Sequence, residues 1–483
     1  MIGLGLGFRI GLLGGPGGNT LGPLNWSGAV STAWVSAGNW VGGTAPANDT
    51  TSNAAVFNAA SYTFQPNAGT ASISGITVGV SSAALTLSGT SLTLGSGGVA
   101  VNSVAAIAIS SPLVFTSNST FSAAGGALLT ASGVISGAFK LTKTGAGSIA
   151  LKAANTYSGG TDITAGRVSP VNAAAFGTGL VTCSNGVQVG MDPAGGGGNF
   201  TLANSFALTS GIISFLVPFS NGTDLSVSGV LSGSGGLLVV TLNGAGRRFG
   251  LLGANTFSGG ITIGSASDDV RLAVGTSTSL GTGTLVVDQT GSSGLENTST
   301  VVLANSIVIN SGRVFNIGYN SSASLTLSGV VSGAGSLNKG GTGPLLMNAA
   351  NTFSGGSTVA SGTLRGTGTI GATSVASGGS IAGGTGAGNA GTLSTGALTL
   401  STGGALTVNI SGGTSTSLVA SSGALVLNSN AVTFEPVALA VGTYTLFTCT
   451  SQSGTLAAPT LTGTGRTFTT YTYSSTSVTV TLA

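Results

Sequence analysis

The chain contains no histidine, so its nine carboxylates are the first candidates for acid–base chemistry. They are Asp49, Asp162, Asp192, Asp224, Asp268, Asp269, Asp288, Glu296 and Glu435. A glycosidase needs two carboxyl groups facing each other across a sugar, about 5 to 10 Å apart. Asp268 and Asp269 are neighbours and would point to opposite faces of a strand. It is possible to align Asp162, Asp268 or Asp269, and Arg271 on neighbouring turns. We expect these residues to be solvated loop residues instead, and we predict no catalytic residue.

The missing histidine also excludes whole classes of site. A histidine-based triad, a histidine-ligated zinc or haem, and a pH sensor built on imidazole all require that residue. Calcium is not indicated, because Asp192 in MDPAGGGGN has no neighbouring acids to complete a shell of oxygens. The many GxG triplets neither open a helix nor precede Lys-Ser/Thr, so they are not nucleotide loops. The sequence therefore predicts no cofactor and no metal.

Charge is scarce and unevenly placed. Charged residues are 4% of the 483 residues and the net charge is +3, whereas a typical soluble domain carries about 25%. Nucleic-acid binding is not expected, since there is no dense basic stripe to replace counterions. Most charges lie between Lys140 and Arg365, and none lies in 50–139 or 366–434. Neutral surfaces promote association, so these stretches are either interfaces or surfaces that Ser and Thr hydroxyl groups keep hydrated.

The composition predicts an all-β protein. Glycine accounts for 86 residues, yet 41% of the chain is hydrophobic and the mean hydropathy is +0.51, which argues against disorder. The most apolar stretches, such as Gly211–Phe219, are far shorter than the roughly 20 residues of a membrane-spanning helix. Runs such as Leu325–Leu327 and Ile261–Ile263 alternate apolar with small polar residues between glycines, as half-buried strands do.

Three markers recur with one common period of about 100 residues, which is the signature of a repeat architecture. NTYSGG begins at Asn155 and returns as NTFSGG at Asn255 and Asn351, and GVISG, GVLSG and GVVSG precede these copies, with the widest spacing in the middle unit. A third echo is TLANSFALTSGIISF against VLANSIVINSGRVF. Short strands repeated in this way predict a parallel β-solenoid of four or five turns per unit. The motif residues singled out are Asn155, Tyr157, Gly159, Asn255, Phe257, Gly259, Asn351, Phe353 and Gly355.

The repeat resembles a known family. LTKTGAGSIALKAA followed by NTYSGGTDITAGRV resembles the passenger-associated transport repeat, also called the autotransporter-associated β-strand repeat. NTFSGGITI and NTFSGGSTVASGTLRGTGTI resemble it as well, and AGNWVGGTAPANDTTSNAAVF is similar to the opening segment of such proteins. The resemblance implies a right-handed parallel β-helix on a bacterial surface, in which the repeat serves folding and secretion and has no catalytic part.

The N-terminal residues depart from that family. In MIGLGLGFRIGLLGGPGG the single charge, Arg9, sits in the middle of the apolar run, so we expect no secretory signal. The C-terminal part is shorter than a membrane barrel and its linker helix would need, so we expect no translocator in it. Glycine-rich β-helical proteins of phage tails, fibres and surfaces are similar to this combination. We therefore interpret residues 1–25 as an arm that anchors the chain, with a floppy end as the alternative.

Both ends of the solenoid differ from its middle. Trp26, Trp34 and Trp40 lie within 26–64, and because an open solenoid end exposes core and strand edges, we predict an N-terminal aromatic cap. Sugar binding is the alternative for this cluster. At the other end, 443–447 and 468–482 are aromatic, β-branched and alternating, which predicts antiparallel β structure.

The sequence thus predicts four parts: an arm at 1–25, a cap and first coils at 26–100, a β-solenoid at 101–380 and a C-terminal β region at 381–483. The leading hypothesis is a non-enzymatic fibre, spike or decoration on a phage virion surface. The alternative is a secreted or autotransporter-like bacterial surface adhesin, and a minor one is a polysaccharide-degrading tailspike. We expect the chain to assemble with further copies of itself, as a trimer, and to contact other virion or surface proteins and cell-surface glycans. We expect it to bind no nucleic acid and to contain no membrane span.

Overall fold

The fold is a continuous stack of short strands. A computed structural model describes residues 22–190, 199–217, 224–241, 247–264, 269–289, 294–318, 321–412, 415–438, 440–458 and 468–482. Glycine, serine and asparagine occupy the corners between the strands. The helical element in these ranges is one 3₁₀ turn, Ala37–Asn39, and no helix in them is long and apolar enough to cross a membrane.

The strands are numbered in chain order. The first third contains β1 Leu24–Asn25, β2 Ala54–Phe57, β3 Thr70–Val78, β4 Leu85–Leu87, β5 Ser91–Val101, β6 Ala106–Ile109, β7 Leu113–Phe115, β8 Ser119–Ala123, β9 Leu128–Ala131, β10 Ile135–Ser136, β11 Leu141–Thr144, β12 Ser148–Leu151, β13 Thr161–Ile163, β14 Arg167–Pro170, β15 Val181–Cys183 and β16 Gln188–Gly190. The middle contains β17 Phe200–Leu202, β18 Phe206–Leu208, β19 Ile212–Val217, β20 Leu225–Val227, β21 Leu231–Gly233, β22 Gly236–Thr241, β23 Arg247–Leu251, β24 Ile261–Ile263, β25 Val270–Val274, β26 Leu285–Val287, β27 Gly294–Asn297, β28 Val301–Leu303, β29 Ile307–Ile309, β30 Val314–Ile317, β31 Leu325–Leu327 and β32 Val331–Gly333. The last part contains β33 Ser336–Lys339, β34 Leu345–Met347, β35 Ser357–Val359, β36 Gly362–Gly366, β37 Thr373–Val375, β38 Gly379–Gly383, β39 Thr392–Thr395, β40 Leu398–Leu400, β41 Ala405–Gly412, β42 Ser415–Thr416, β43 Leu418–Ser421, β44 Ala424–Val426, β45 Ala431–Ala438, β46 Gly442–Thr448, β47 Ser451–Ser453, β48 Phe468–Tyr473 and β49 Ser477–Leu482.

These strands form long parallel sheets, which confirms the predicted parallel β-solenoid. The first sheet runs from β1 through β11, β13 and β15 to β21, the second from β4 through β14 and β24 to β32, and the third from β17 through β25 and β35 to β47. A fourth sheet runs from β28 through β36 and β41, and a fifth joins β39, β43, β46, β49 and β48. The parallel ladder passes through residue 100 in β5 and through residue 380 in β38.

The alternating pattern explains why each strand is so short. In β31, Leu325 and Leu327 are buried and Thr326 between them is only partly covered. Each inward leucine stacks on its counterpart in the next turn, as Leu325 does on Leu345 of β34. Burying one such side chain contributes about 1.5–3 kcal/mol to folding. This burial takes place against the neighbouring turns, so a strand of three residues is stable only within the stack.

The length of a turn varies along the solenoid. Among the described parallel pairs, the shortest step along the chain runs from Ser357 to Thr373. The next step on the same sheet, from Thr373 to Leu398, is much longer, and the step from Val419 to Phe447 is longer still. The extra residues of the step from Thr373 to Leu398 lie at one corner, between Gly383, which pairs with Gly366, and Ser394, which bridges to Thr369.

The C-terminal end closes with antiparallel strands, which confirms the antiparallel region predicted there. β49 pairs antiparallel with β46 on one side and with β48 on the other. Val478, Val480 and Leu482 of β49 are fully buried. The hairpin of β48 and β49 thereby covers β46, the last parallel strand of the fifth sheet, and β48 becomes its outermost strand.

Candidate functional site

The repeat motif is built around an asparagine that joins three successive turns. Asn155 Oδ1 accepts a hydrogen bond of 2.8 Å from the backbone N–H of Ile135, and Nδ2 donates one of 2.6 Å to the carbonyl of Ala175. Ile135 is the central residue of GVISG, so the two sequence markers meet one turn apart. Asn155 is 3% exposed, and its amide satisfies backbone groups that would otherwise be buried unpaired.

The other two copies repeat this geometry. Asn255 Oδ1 accepts from Leu231 N–H at 2.8 Å, and its Nδ2 donates to the Ser279 carbonyl at 2.6 Å. Asn351 Oδ1 accepts from Val331 N–H at 2.8 Å, and its Nδ2 donates to the Thr369 carbonyl at 3.0 Å. Leu231 and Val331 hold the central positions of GVLSG and GVVSG. The middle unit keeps the contact although its two markers lie further apart in the sequence.

Two further asparagines continue the series, and the prediction of site residues missed both. Asn204 Nδ2 donates to the carbonyls of Gly177 and Gly179 at 3.1 and 2.9 Å, and Asn305 Nδ2 donates to Gly281 and Gly283 at 3.1 and 2.8 Å. Both belong to the LANS echo, which was the available signal. The asparagine spine, defined as Asn155, Asn204, Asn255, Asn305 and Asn351, thus places an amide on every second turn.

The aromatic residue of the motif points into the core. Tyr157, Phe257 and Phe353 are at most 3% exposed. The Tyr157 hydroxyl lies 2.7 Å from Oγ1 of Thr161, and burial raises the pKa of Tyr157 far above its usual range. The equivalents of Thr161 are Ile261 in the second copy and Ser357 in the third.

The two glycines of the motif have different physical roles. A Cβ on Gly159 would meet the peptide between Phe139 and Lys140 on the preceding turn, and Gly259 and Gly355 face the preceding turn in the same way. The following residue, Gly160, has a φ of 86°, a left-handed conformation that favours glycine. One glycine therefore permits close stacking of turns and the other makes the corner.

Two buried lysines were not anticipated. Lys143 and Lys339 are at most 1% exposed. Lys143 Nζ donates to the carbonyls of Thr144, Gly145 and Ala165 at 2.8, 2.7 and 3.0 Å. Lys339 Nζ donates to those of Gly340, Gly341 and Ser361 at 2.5, 2.9 and 3.1 Å.

Each ammonium group fills a corner where backbone carbonyls from two turns point inward. Burial lowers the pKa of both lysines to about 8, whereas the three carbonyl dipoles favour the charged form. Lys143 pairs with Ile163 and Lys339 with Val359 on the next turn. The corresponding partner of Ile263 is Val239, so the middle unit has a valine in place of the lysine.

The motif changes sheet from one copy to the next. The strand that follows Asn155 is β13 of the first sheet, the strand that follows Asn255 is β24 of the second, and the strand that follows Asn351 is β35 of the third. One repeat therefore does not close a whole number of turns. Equivalent surface residues of the three copies lie on different sides of the solenoid.

The three tryptophans form one buried cluster at the N-terminal end. Trp34 and Trp40 pack edge to face with ring centroids 4.8 Å apart, and Trp26 and Trp40 do so at 5.2 Å. Trp40 Nε1 donates to the Trp34 carbonyl at 2.7 Å. All three are at most 3% exposed, so none of these ring faces is open to a sugar. Arg9, the predicted anchor residue, lies outside the described residues.

An asparagine that we had not singled out fixes the loop over this cluster. Asn39 is fully buried. Its Oδ1 accepts from the backbone N–H groups of Val30 and Ser31, both at 2.9 Å, and its Nδ2 donates to the Ala33 carbonyl at 2.8 Å. The loop thereby covers the first turn while Asn39 satisfies these polar groups of its backbone.

Among the described residues, the groups named as candidates for catalysis lie on different sheets. Asp162 lies on β13 of the first sheet and pairs with Lys140 at 2.8 Å, while Arg271 lies on β25 of the third sheet and faces Glu296 at 3.8 Å. Hydrogen bonds from Asn310 and Arg313 lower the pKa of Asp288, which is the opposite of what a general acid needs. Asp192 and Asp268 lie outside the described residues.

A resident metal site is likewise not formed by the part of the chain that is described. No group of three or more Cys, Asp or Glu side chains there comes together to hold an ion. Cys183 and Cys449 are both buried free thiols.

Comparison with known proteins gives a consistent result. The model of the family described as passenger-associated-transport-repeat matches residues 141–169 and 337–365. These are the two segments that hold Lys143 with Asn155 and Lys339 with Asn351. The chain is also 30% identical over 248 residues to "Adhesin BmaC autotransporter" of Brucella suis biovar 1 (strain 1330). That alignment covers 46% of this chain and 7% of the relative.

No solved structure shows a significant similarity to the chain. The family match and the asparagine geometry fall on the same residues. This chain is therefore a β-solenoid that carries passenger-associated-transport repeats at residues 141–169 and 337–365.

Proposed function

We propose that the chain is a non-enzymatic, adhesive β-solenoid displayed on a bacterial surface or released from it, as part of an autotransporter-like passenger. The observation that carries this is the pair of repeat matches at 141–169 and 337–365 on one parallel solenoid, together with the similarity to an adhesin. The alternative in the sequence analysis is thus favoured over its leading hypothesis, a phage virion fibre, which no comparison supports.

The structure supports a role based on shape. The motif side chains serve to join turns: the asparagines tie backbone to backbone, the aromatic rings fill the core and the glycines permit close stacking. Asp162 and Arg271, the groups considered for catalysis, are held apart on different sheets. A rod of this kind displays its outward residues and corners, and assembly as a trimer remains a prediction for the same surface.

Fractionation of the source cells tests where the protein acts. Mass spectrometry of washed envelope fractions, culture medium and purified virus-like particles should find peptides of this chain in the envelope or medium. A fixed copy number per particle, with empty envelopes, would overturn the proposal and restore the virion fibre.

A bead assay tests adhesion itself. Polystyrene beads coated with the purified chain should attach to cultured epithelial cells more often than beads coated with albumin. Equal attachment of both bead types to epithelial cells and to extracellular-matrix films would contradict the adhesive role.

A further inference from the structure

We infer that the solenoid carries a binding site for a neutral carbohydrate chain in a recess that crosses four turns between Asn351 and Ser422. The recess has a volume of about 490 Å³ and lies across the turns at 351–354, 369–371, 394–396 and 420–422. A second recess of about 410 Å³ adjoins it at Gly355, Ala372 and Ala397. The inference rests on the proposed adhesive function and names the kind of surface that would be bound.

The recess is formed by four stacked turns. The extra chain of the long step from Thr373 to Leu398 lies in 384–391, which lines neither recess. The lining turns are successive, since Thr369 bridges to Ala350 and to Ser394. At about 4.8 Å per turn they span roughly 14 Å.

The lining is uncharged and rich in hydroxyl groups. Thr352, Ser354, Thr369, Ser394 and Ser422 lie along the first recess, and the described residues that line the two recesses are all uncharged. The recess overlaps the stretch 366–434, which has no charged residue at all. A charged ligand would lose hydration there without gaining a counter-charge. Hydroxyls both donate and accept hydrogen bonds, which matches the hydroxyls of a sugar.

A peptide is a poorer match to the same recess. The strands that line it are β39 and β43: β43 pairs with β39 and β46, and the backbone of Ser394 in β39 bonds to Gly368 and Ile370 on its other side. These two strands therefore offer no open edge for strand addition, which is the usual way an extended peptide binds a sheet. The ring of Phe353 is 3% exposed, so the recess holds a sugar by hydrogen bonds and shape, and affinity at a single site is weak.

The motif provides a matched pair of variants. Thr352 and Ser354 are exposed in the recess, and Thr156 and Ser158 are exposed at the same motif positions in the first copy. The double variant T352A/S354A removes two hydroxyls from the recess. The double variant T156A/S158A removes the same two groups elsewhere. Because all four side chains are exposed, both variants are expected to fold, which far-UV circular dichroism checks.

The experiment is saturation-transfer difference NMR on the purified chain. The probes are neutral tetrasaccharides of glucose and of N-acetylglucosamine, with sialyllactose as the charged comparison. We expect a saturable signal with at least one neutral probe, a loss of at least threefold in T352A/S354A and no change in T156A/S158A. No signal with either neutral probe, a stronger signal with sialyllactose, or equal loss in both variants would overturn the site. Coated beads that still attach to cells in that event would show that only the site, and not the adhesive function, is wrong.

Discussion

The hydroxyl of Tyr157 lies 2.7 Å from Oγ1 of Thr161 inside the core, and the third copy of the motif replaces this pair by Phe353 and Ser357. Ser357 Oγ is buried there without a hydrogen-bond partner among the described residues. The second copy has Phe257 beside Ile261, both apolar. The three copies thus present a satisfied hydroxyl pair, an apolar pair and an orphaned hydroxyl at one structural position.

The orphaned hydroxyl predicts a stabilising substitution. Phe353→Tyr should raise the free energy of unfolding by about 0.5–1.5 kcal/mol, because the new hydroxyl can bond Ser357. Tyr157→Phe should lower it by about 1–3 kcal/mol, since Thr161 Oγ1 would lose its partner. Urea unfolding followed by circular dichroism measures both. Phe257→Tyr is the control and should destabilise, as Ile261 offers no acceptor; stabilisation of that variant would refute the argument.

Removing one amide of the asparagine spine should loosen the turns it joins. Asn255→Ala leaves the N–H of Leu231 and the carbonyl of Ser279 without the amide that binds them, at a cost of about 1–3 kcal/mol for each group. Hydrogen exchange at the Leu231 amide should accelerate more than exchange at amides of distant turns. Thr256→Ala, at the exposed neighbouring position, is the control and should leave the Leu231 rate unchanged. Equal exchange in the two variants would contradict the role of Asn255.

Close stacking predicts that the first glycine of the motif is not replaceable. Gly159→Ala places a Cβ against the peptide of Phe139 and Lys140, and we expect a loss of about 1–3 kcal/mol from the forced shift. Gly125→Ala is the matched control, because a Cβ there meets nothing within 4 Å and its backbone is not left-handed. Thermal unfolding of both variants checks the contrast. A Gly159→Ala protein as stable as the control would show that the turns can separate freely.

The buried lysines predict a rise of stability with pH. In the folded state their pKa is lowered from 10.5 to about 8. Below this folded-state pKa the amines are charged in both states and the cost of burial is present in full. Between the folded-state and unfolded-state pKa values the folded state releases its protons first. The unfolded state then binds more protons, so stability increases with pH.

The increase in the free energy of unfolding over this pH range is at most about 3 kcal/mol per lysine. The carbonyl contacts make it smaller, because they stabilise the charged amine. Buried tyrosine and cysteine, whose pKa values are raised, act in the opposite direction at alkaline pH. The measurement is therefore the difference in the free energy of unfolding between the native chain and K143M/K339M. Urea unfolding gives this difference at each pH from neutral up to the unfolded-state pKa of lysine. We expect the free energy of unfolding of the native chain to rise relative to that of the double variant as the pH increases. A constant difference would mean that the ammonium groups keep their protons throughout.

The sequence was sufficient for the architecture. Alternation in segments such as Leu325–Leu327 and the period of NTYSGG predicted a parallel β-solenoid, and the alternation after Ser474 predicted the antiparallel end. The change of sheet between Asn155, Asn255 and Asn351 was not predictable, because it depends on how much chain each turn takes. The number of residues per turn varies between neighbouring turns because the loops differ in length. No motif in the sequence indicates the length of these loops.

The side chains at the motif were predicted as positions but not as interactions. Asn155 was identified from its recurrence, yet its partners Ile135 and Ala175 are fixed by the register of neighbouring turns. Nothing in the sequence marks Lys143 as buried, because charged residues are usually exposed, and its carbonyl cage forms only where the left-handed corners at Gly145 and Gly166 stack. Asn204 and Asn305 were visible in the LANS echo, but an echo alone does not say which residue bridges turns.

The stepwise change of sheet gives the molecule the symmetry of a screw. The exposed Thr and Ser of the three motifs, at 156, 256 and 352 and at 158, 258 and 354, point outward at three azimuths and three heights. The same two hydroxyls therefore meet different neighbours in each copy, and those of the third copy line the recess between Asn351 and Ser422. Sequence repetition along this solenoid does not make the copies interchangeable at the surface.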